Sequence, residues 1–552
     1  MRMKKMKFFD PACGSGNFLI ITYKELRSLE MKILKLMQKM MPDYNLQFVD
    51  GSIININQFY GLEINDFACE TAVLSLWLAE HQMNNQFTKD FGVNIKALPL
   101  KTNHNIHCGN ACRVEWNEVC PHTEDEEVFV MGNPPYLGSS LQEKSHKEDM
   151  KMVFIGKDNW KALDYISCWF YLGTLYIRGS RAKLAFVSTN SISQGEQVSL
   201  IWPMIFQNDV SISFGYESFK WSNNAKGNAG VTCTIIGLVN NQDCKQSWLY
   251  KANGTIITLR ELSPYLFEFN SSTIVKKIST PLNVVQIMNK GSQPTDDGNL
   301  TLDAFEKREM IEGDNRVIPF IKPFIGSEEF IKRKERYCIW VEDKDVEVAQ
   351  SIPSLQTRFE NVRKSRLASK KAATRLDAST PYFFTERRYK ESPCIVIPET
   401  SSESRYYIPI GYLKEGTVVS NAAFVVYDAP EWLFGILTSA MHMTWVRAIG
   451  GRLETRYRYS AGLCYNPFPF PKLTEEKKKE IEDAAMEIEG WREYFRGKTL
   501  AWLYDPKTMP QELREAHHHL DLIVDSCYRE RPFKDENERL EWLLKLYEKM
   551  KG

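Results

Sequence analysis

The sequence is short of several things, and each shortage excludes a class of protein. Twelve cysteines stand in 552 residues with no Cys-x-x-Cys pair, which reads as reduced thiols rather than a disulfide framework. Seventy basic residues face seventy acidic ones, a formal net charge of zero, so a footprint for any polyanion must be local. No apolar run reaches the roughly 18 residues of a membrane helix, and no membrane span is expected. The N-terminus opens basic but passes straight into Phe8-Phe9-Asp10-Pro11-Ala12-Cys13-Gly14, whose aspartate and glycine turn spoil a signal-peptide core. A cytosolic compartment is expected. No internal repeat or low-complexity tract stands out.

What is present is a globular balance, 43% hydrophobic and 25% charged, which rules out wholesale disorder and collagen-like repeats. The length allows about three or four domains at roughly 100–200 residues each. His104, His107, Cys108, Cys112, Cys120 and His122 cluster in sequence, but no pair has zinc-finger spacing, so no metal is expected there and buried free thiols are the better reading.

The first third alternates short apolar strands with helical stretches, the pattern of an α/β doubly wound sheet. Strands are predicted at Lys7–Asp10, Phe59–Ile64, Asn105–His107, Val128–Met131, Lys183–Thr189 and Val231–Val239, the last two finishing the sheet. Helices are predicted from Asn17 to about Met41 and from Asp66 to about Gln82. After about residue 275 proline, arginine, lysine and tyrosine become frequent and the alternation is lost. That change divides the chain into residues 1–275, a mixed α/β domain 276–473, and a charged helical tail 474–552. Thr474 is a plausible N-cap for the tail, with Ile481, Ala485 and Ile488 near helical spacing. The triplet His517–His519 is expected to face solvent.

Three motifs in the first domain carry chemistry. Asp10-Pro11-Ala12-Cys13-Gly14-Ser15-Gly16 lies between a strand and a helix, where glycines let the backbone approach a ligand; alone it is equally a tight turn. Glu63 ends the next strand, placed to accept two ribose hydroxyls at the sheet's carboxyl edge; alone it is a solvated charge. Together they suggest an adenosine-containing cofactor. Gly132-Asn133-Pro134-Pro135-Tyr136 ends a third strand. Its two prolines lack N–H groups, so the turn offers mainly carbonyls. Asn133 adds a side-chain carbonyl and Tyr136 a flat face. Two convergent acceptors would hold an exocyclic amine, and the ring would stack on its base.

In this order, DPACGSGNF, GLEI and NPPY resemble motifs I, II and IV of class I S-adenosylmethionine-dependent N6-adenine DNA methyltransferases. The likeness continues through NSISQGEQV, FKWSNNA, GSQPTDDGNL, IKPFIGSEEFI, FGILTSAMHMTWVRAIGGRL and YRYSAGLCYNPFPFP. From about residue 8 to its end the sequence resembles the MmeI-like restriction–modification group, which fuses a methyltransferase, a target-recognition domain and, upstream, an endonuclease. The resemblance implies a Rossmann-like methyltransferase sheet, S-adenosyl-L-methionine as cofactor and double-stranded DNA as partner. Asp10, Ala12, Gly14 and Gly16 would surround the methionine part, Glu63 would hold the ribose, and Asn110 falls where many relatives have an aspartate contacting the cofactor's adenine amine. Asn133 and the Pro134 carbonyl, with Pro135 beside them, would receive the target amine. Tyr136 and Phe219 would stack on the flipped base. The reaction implied is direct methyl displacement, without metal or covalent enzyme intermediate.

Residues 358–390 carry ten basic against three acidic side chains, interleaved with Tyr382, Phe383, Phe384 and Tyr389. Such a run is often a solvated face, but within a recognition-like domain phosphate anchoring and guanine readout fit better. The expected DNA contacts are Arg363, Lys364, Arg366, Lys370, Arg387 and Arg388, with Arg452 and Arg456 in a second strip. Motif I begins so near Met1 that the related enzymes' preceding helical segment and nuclease have no room. Either the reading frame is truncated or an upstream-encoded polypeptide supplies both, and the isolated chain is expected to bind cofactor poorly and cut no DNA. The rival readings are a protein-glutamine or RNA-guanine methyltransferase, since NPPY also suits those amines, and a DNA-binding remnant with a defunct cofactor site.

Overall fold

A computed structural model describes residues 2–40, 52–92, 105–221 and 231–551. The chain divides into two compact units, Met1–Ile274 and Val275–Gly552.

Unit 1 is built on nine strands: β1 (Lys7–Asp10), β2 (Phe59–Glu63), β3 (Ile106–Cys108), β4 (Val128–Gly132), β5 (Lys183–Thr189), β6 (Val210–Trp221), β7 (Val231–Asn240), β8 (Ser247–Tyr250) and β9 (Ile256–Leu259). Their order is β3-β2-β1-β4-β5-β7-β6-β8-β9. The first five are parallel, and β7 enters antiparallel to β5. The chain leaves β1 toward β2 and β3, then returns to β4 on the other side. The order therefore reverses at β1/β4, where doubly wound sheets open a crevice at their carboxyl ends.

The helices are α1 (Asn17–Met40), α2 (Asp66–Phe91), α3 (Trp116–Val119), α4 (Lys144–Val153), α5 (Ser167–Ile177) and α6 (Gly195–Phe206). One face of α1 is buried through Leu19, Tyr23, Arg27, Glu30 and Met31, a helical period. Two of these are charged, and Arg27 pairs with Glu30 at 3.3 Å while donating to Tyr23 Oη at 2.6 Å. Asn65 caps α2 by accepting from Ala68 N–H. This helix runs beyond the expected end at Gln82, because Met83 and Phe87 continue its buried face and no glycine intervenes before Gly92, in the left-handed region at φ 69°.

The sheet does not finish with two strands after β4 as expected. Strands β6, β8 and β9 extend it. The twelve residues of β6 escape a simple alternation pattern because its pairing with β7 shifts register twice, between Ile212 and Phe214 and between Tyr216 and Phe219.

Unit 2 contains two four-stranded sheets and one three-stranded sheet. One of its cores gathers Trp340, Phe359, Val362 and Phe384 around the helix Pro353–Leu367. The helices Glu475–Tyr494, Gln511–Tyr528 and Glu536–Lys551 belong to the same compact unit. Thr474 accepts from Lys477 N–H, and Ile481, Ala485 and Ile488 are buried, as the spacing predicts. The histidine triplet needs correction. His517 is fully buried, accepts or donates at Tyr504 Oη at 2.8 Å and stacks on Tyr407. Only His518 and His519 are exposed, because the apolar face of the helix passes through position 517.

Candidate functional site

The three motifs converge at the carboxyl edge of β1, β2 and β4. Asp10 ends β1 almost wholly buried, 1% exposed. Its Oδ1 accepts from Ala12 N–H at 3.0 Å, while Oδ2 has no hydrogen-bond partner among the described residues. Burial pushes this carboxyl up to about 7, the Ala12 hydrogen bond opposing the rise. Gly132 sits against it: a Cβ there would stand 2.5 Å from Asp10 Oδ1. That close approach brings the Asp10 turn beside the Asn133 turn, and only glycine permits it.

The turn after β1 is tied to β2 through Glu63. Its Oε2 accepts from Gly14 N–H at 3.0 Å and its Oε1 from Asn65 N–H at 3.0 Å. Gly14 and Gly16 both take positive φ, 53° and 86°. Cys13 is buried, its thiol pushed up by burial, so it is a packing residue and not a nucleophile. The indole N–H of Trp169 on α5 donates to the Pro11 carbonyl at 3.0 Å, pinning the turn from the other side.

These elements enclose a cavity of about 380 Å³, lined by Ala12, Glu63, Ile64, Asn110, Asn133, Pro135, His146, Tyr165 and Trp169 among others. Its size suits a nucleoside-sized ligand. Asn133 presents a side-chain oxygen that is buried and without a hydrogen-bond partner among the described residues. Pro134 is buried and Pro135 exposed.

Tyr136 and Phe219 come together through one residue that no sequence motif marks. The Tyr136 hydroxyl hydrogen-bonds the Cys233 thiol, and burial followed by that thiol raises the phenol above its usual range. Cys233 on β7 is in turn directly opposite Phe219 on β6, and cross-strand partners share a face of the sheet. Of the FKWSNNA motif, residues 222–225 lie outside the described residues.

Other residues missed by sequence reasoning surround Asn110. Asp149 on α4 is buried and bonds Asn110, Tyr165 and Arg113 together. No short motif links them, since Asn110 and Asp149 are 39 positions apart.

The cysteine–histidine cluster is dispersed. Cys112 and Cys120 are buried but Cys108 is exposed, correcting the expectation for that thiol, and His104 lies outside the described residues. Among the described residues no group of three or more His, Cys, Asp or Glu side chains is placed to hold a metal. Nor is any helix among them long and apolar enough to cross a membrane.

In unit 2 the basic run separates into two populations. Arg363, Lys364 and Lys370 are exposed. Arg366 is not: it is 1% exposed, and its guanidinium donates to the carbonyls of Pro294, Thr295, Asp377, Thr380 and Phe383. All its donor directions are occupied, so Arg366 is removed from the expected DNA contacts. Arg387 is partly engaged, bonded to Asp343 at 3.0 Å and stacked 4.0 Å over Phe383. Arg388 pairs with Glu386 at 2.5 Å. Arg452 lies 4.0 Å over Tyr457, and Arg456 pairs with Glu454 at 3.0 Å. The interleaved aromatics are also corrected: Phe384 is in the core and Tyr382, Phe383 and Tyr389 pack against it.

Three family models match the chain in series: the MmeI DNA-methyltransferase domain over residues 1–251, the MmeI target recognition domain over 270–472 and the MmeI C-terminal domain over 473–552. The solved structure of the Type IIL restriction-modification enzyme MmeI in complex with DNA superposes with a TM-score of 0.89 at 38% identity, covering 100% of this chain and 73% of that one. The chain belongs to the MmeI family. Among curated relatives, DNA methyltransferase A of Bacillus subtilis (strain 168) is 47% identical over 550 residues, 100% of this chain. The chain spans 62% of that relative's length. A shorter match, 36% over 109 residues, reaches 20% of this chain and 9% of a putative type II restriction enzyme and methyltransferase of Methanocaldococcus jannaschii.

Proposed function

We propose that this MmeI-family chain is a sequence-specific DNA methyltransferase of a restriction–modification system, acting on the N6 amine of an adenine turned out of the duplex. The observation that carries this reading is the buried oxygen of Asn133, without a partner among the described residues, three residues before Tyr136 and on the lining of the 380 Å³ cavity. A buried acceptor left without a donor costs about 1–3 kcal/mol, so the position favours a ligand that brings an N–H. An exocyclic amine does so, with the Pro134 carbonyl as second acceptor. Tyr136 and Phe219 supply aromatic faces for its base.

S-adenosyl-L-methionine suits the residues in and behind the cavity's lining. From the lining, Glu63 offers a carboxylate for ribose hydroxyls and Asn110 an amide for the purine edge, with Ala12 beside them; Asp10, Gly14 and Gly16 of the same turn lie behind the lining, toward the methionine part. The cofactor supplies an activated methyl group when bound. What the chain contributes is orientation: Asn133 holds the amine in line, which is worth several kcal/mol as near-attack geometry.

Double-stranded DNA would be held by unit 2 through the exposed Arg363, Lys364 and Lys370, with Arg387, Arg388, Arg452 and Arg456 as secondary contacts. The test is methyl transfer from labelled cofactor by the purified chain, offered duplex DNA, RNA and protein acceptors. Modified adenine in duplex DNA is the expected product. Label in RNA guanine or in glutamine would install the rival enzymes, and no cofactor binding would leave a DNA-binding remnant.

A further inference from the structure

The adenine end of the proposed cofactor cavity contains a polarity that Asn110 cannot set by itself. A side-chain amide has an acceptor edge and a donor edge of nearly the same shape, and which one faces a ligand depends on what holds the other. Here both are fixed. Asn110 Oδ1 accepts from Cys112 N–H at 2.8 Å, and Nδ2 donates to Asp149 Oδ2 at 3.0 Å. Asp149 is 3% exposed. The same oxygen accepts from Tyr165 Oη at 2.8 Å, and Oδ1 accepts from Arg113 Nε at 2.6 Å.

Burial alone would raise the Asp149 carboxyl, but the hydrogen bonds from Asn110, Tyr165 and Arg113, with the charge of Arg113, hold it below the usual carboxylate range. An ionised carboxylate only accepts, so the amide group facing it must be NH2. The carbonyl of Asn110, set the same way by the Cys112 N–H, keeps a second lone pair that a ligand in the cavity Asn110 lines can use. The same anion accepts the hydroxyl of Tyr165, which also lines the cavity.

We infer that Asp149 is the positioning residue that makes the cavity selective for a 6-aminopurine, by holding Asn110 with its carbonyl toward the ligand. The inference rests on the proposed reading of the cavity as the adenosylmethionine site. It assigns the discrimination against 6-oxopurines to a residue outside the cavity wall.

The test uses the full chain and three probes: S-adenosylhomocysteine, its counterpart lacking the 6-amino group, and its hypoxanthine counterpart, titrated calorimetrically up to millimolar concentrations. The unmodified chain should prefer the amino form by about tenfold over the deaminated one, the net worth of one good hydrogen bond. In Asp149→Asn the partner amide either donates or accepts, so the Cys112 N–H alone is left to orient Asn110. The preference should fall within about twofold, and the hypoxanthine probe should gain affinity. Combining Asn110→Asp with Asp149→Asn restores an obligate acceptor beside an amide donor, and should restore the preference. Equal weakening of all three probes in Asp149→Asn, with the ratio kept, would make Asp149 purely structural and overturn the inference alone. If none of the probes binds the unmodified chain, the cofactor reading fails and the inference falls with it.

Discussion

At the carboxyl edge of the unit 1 sheet, Asp10 Oδ2 and Asn133 Oδ1 are buried without a hydrogen-bond partner among the described residues. Around Arg366 in unit 2 the opposite holds, and five backbone carbonyls close on one guanidinium. Both places concentrate polar groups away from water, and both were selected from sequence as functional. The difference separates them. A polar group whose bonds are left open inside a fold carries a standing penalty that a ligand can relieve. A group whose bonds are all made internally is scaffold: Arg366 binds the 294–295 segment and the 377–383 segment to the helix that carries it.

The largest effect that would break this comparison is on Arg366. Arg366→Ala strands five carbonyls, and should cost about 3–5 kcal/mol in unit 2. Arg366→Lys should rescue little, since an ammonium has three donors in place of the fork. Arg363→Ala, three positions away and exposed, should stay within about 0.5 kcal/mol. Denaturant midpoints read by a unit 2 probe would decide; similar shifts for both variants would erase the distinction.

Next in size is Asn133→Ala, which removes an open acceptor. Methyl transfer should fall by about 10²–10³-fold, the usual consequence of deleting one preorganised hydrogen-bonding group at a reacting centre. Stability should hold or rise slightly, because an unsatisfied buried oxygen is gone. Normal turnover with lowered stability would turn Asn133 into scaffold as well.

A smaller effect belongs to the exposed part of the basic run. Arg363→Glu with Lys364→Glu should lower DNA affinity. It should also flatten the salt dependence by roughly 0.9 log units per log unit of salt for each phosphate no longer neutralised. A slope unchanged in filter binding across a salt series would return these residues to solvent.

The smallest effect compares two carboxyls. Burial raises Asp10 to about 7, and burial raises Asp521 to about 7 too, against the opposing Tyr407 hydrogen bond. A carboxyl that holds its proton more tightly in the folded chain contributes stability fully below its unfolded pKa of about 4. That contribution is lost as pH rises through about 7. Asp10→Asn and Asp521→Asn should each flatten the fall in stability between those values. They should differ on ligand binding: a cationic ligand beside Asp10 favours the ionised form, so adenosylmethionine affinity should drop below about pH 7 in the unmodified chain. That drop should persist in Asp521→Asn and vanish in Asp10→Asn, as titrations at several pH values would show.

Much of unit 1 was legible because its signals are local. Lys7–Asp10 and Lys183–Thr189 have the bounds that their apolar runs predict, and the Gly14, Glu63 and Asn133 motifs announce themselves within a few residues each. The buried side of the helix Pro353–Leu367 is legible too, but in its phase and not in its charge. Leu355, Phe359, Val362 and Arg366 recur at helical spacing, so phase alone puts Arg366 inward and Arg363 outward, whereas a count of charges treats them alike. The register shifts of β6 hid a strand whose alternation is otherwise regular.

The sequence by itself determined the order of the first five strands, the residue types at the three motif turns and the family to which the chain belongs, since these depend on neighbours along the chain. Only the tertiary structure decided which polar groups were left open and which were closed. Asp149 reaches Asn110 from 39 positions away, Cys233 joins Tyr136 to Phe219 across strands, and Gly132 brings Asp10 beside the Asn133 turn. Hydrogen bonds made between distant segments leave no periodic trace in the chain, because they are satisfied in space and only after the backbone has folded.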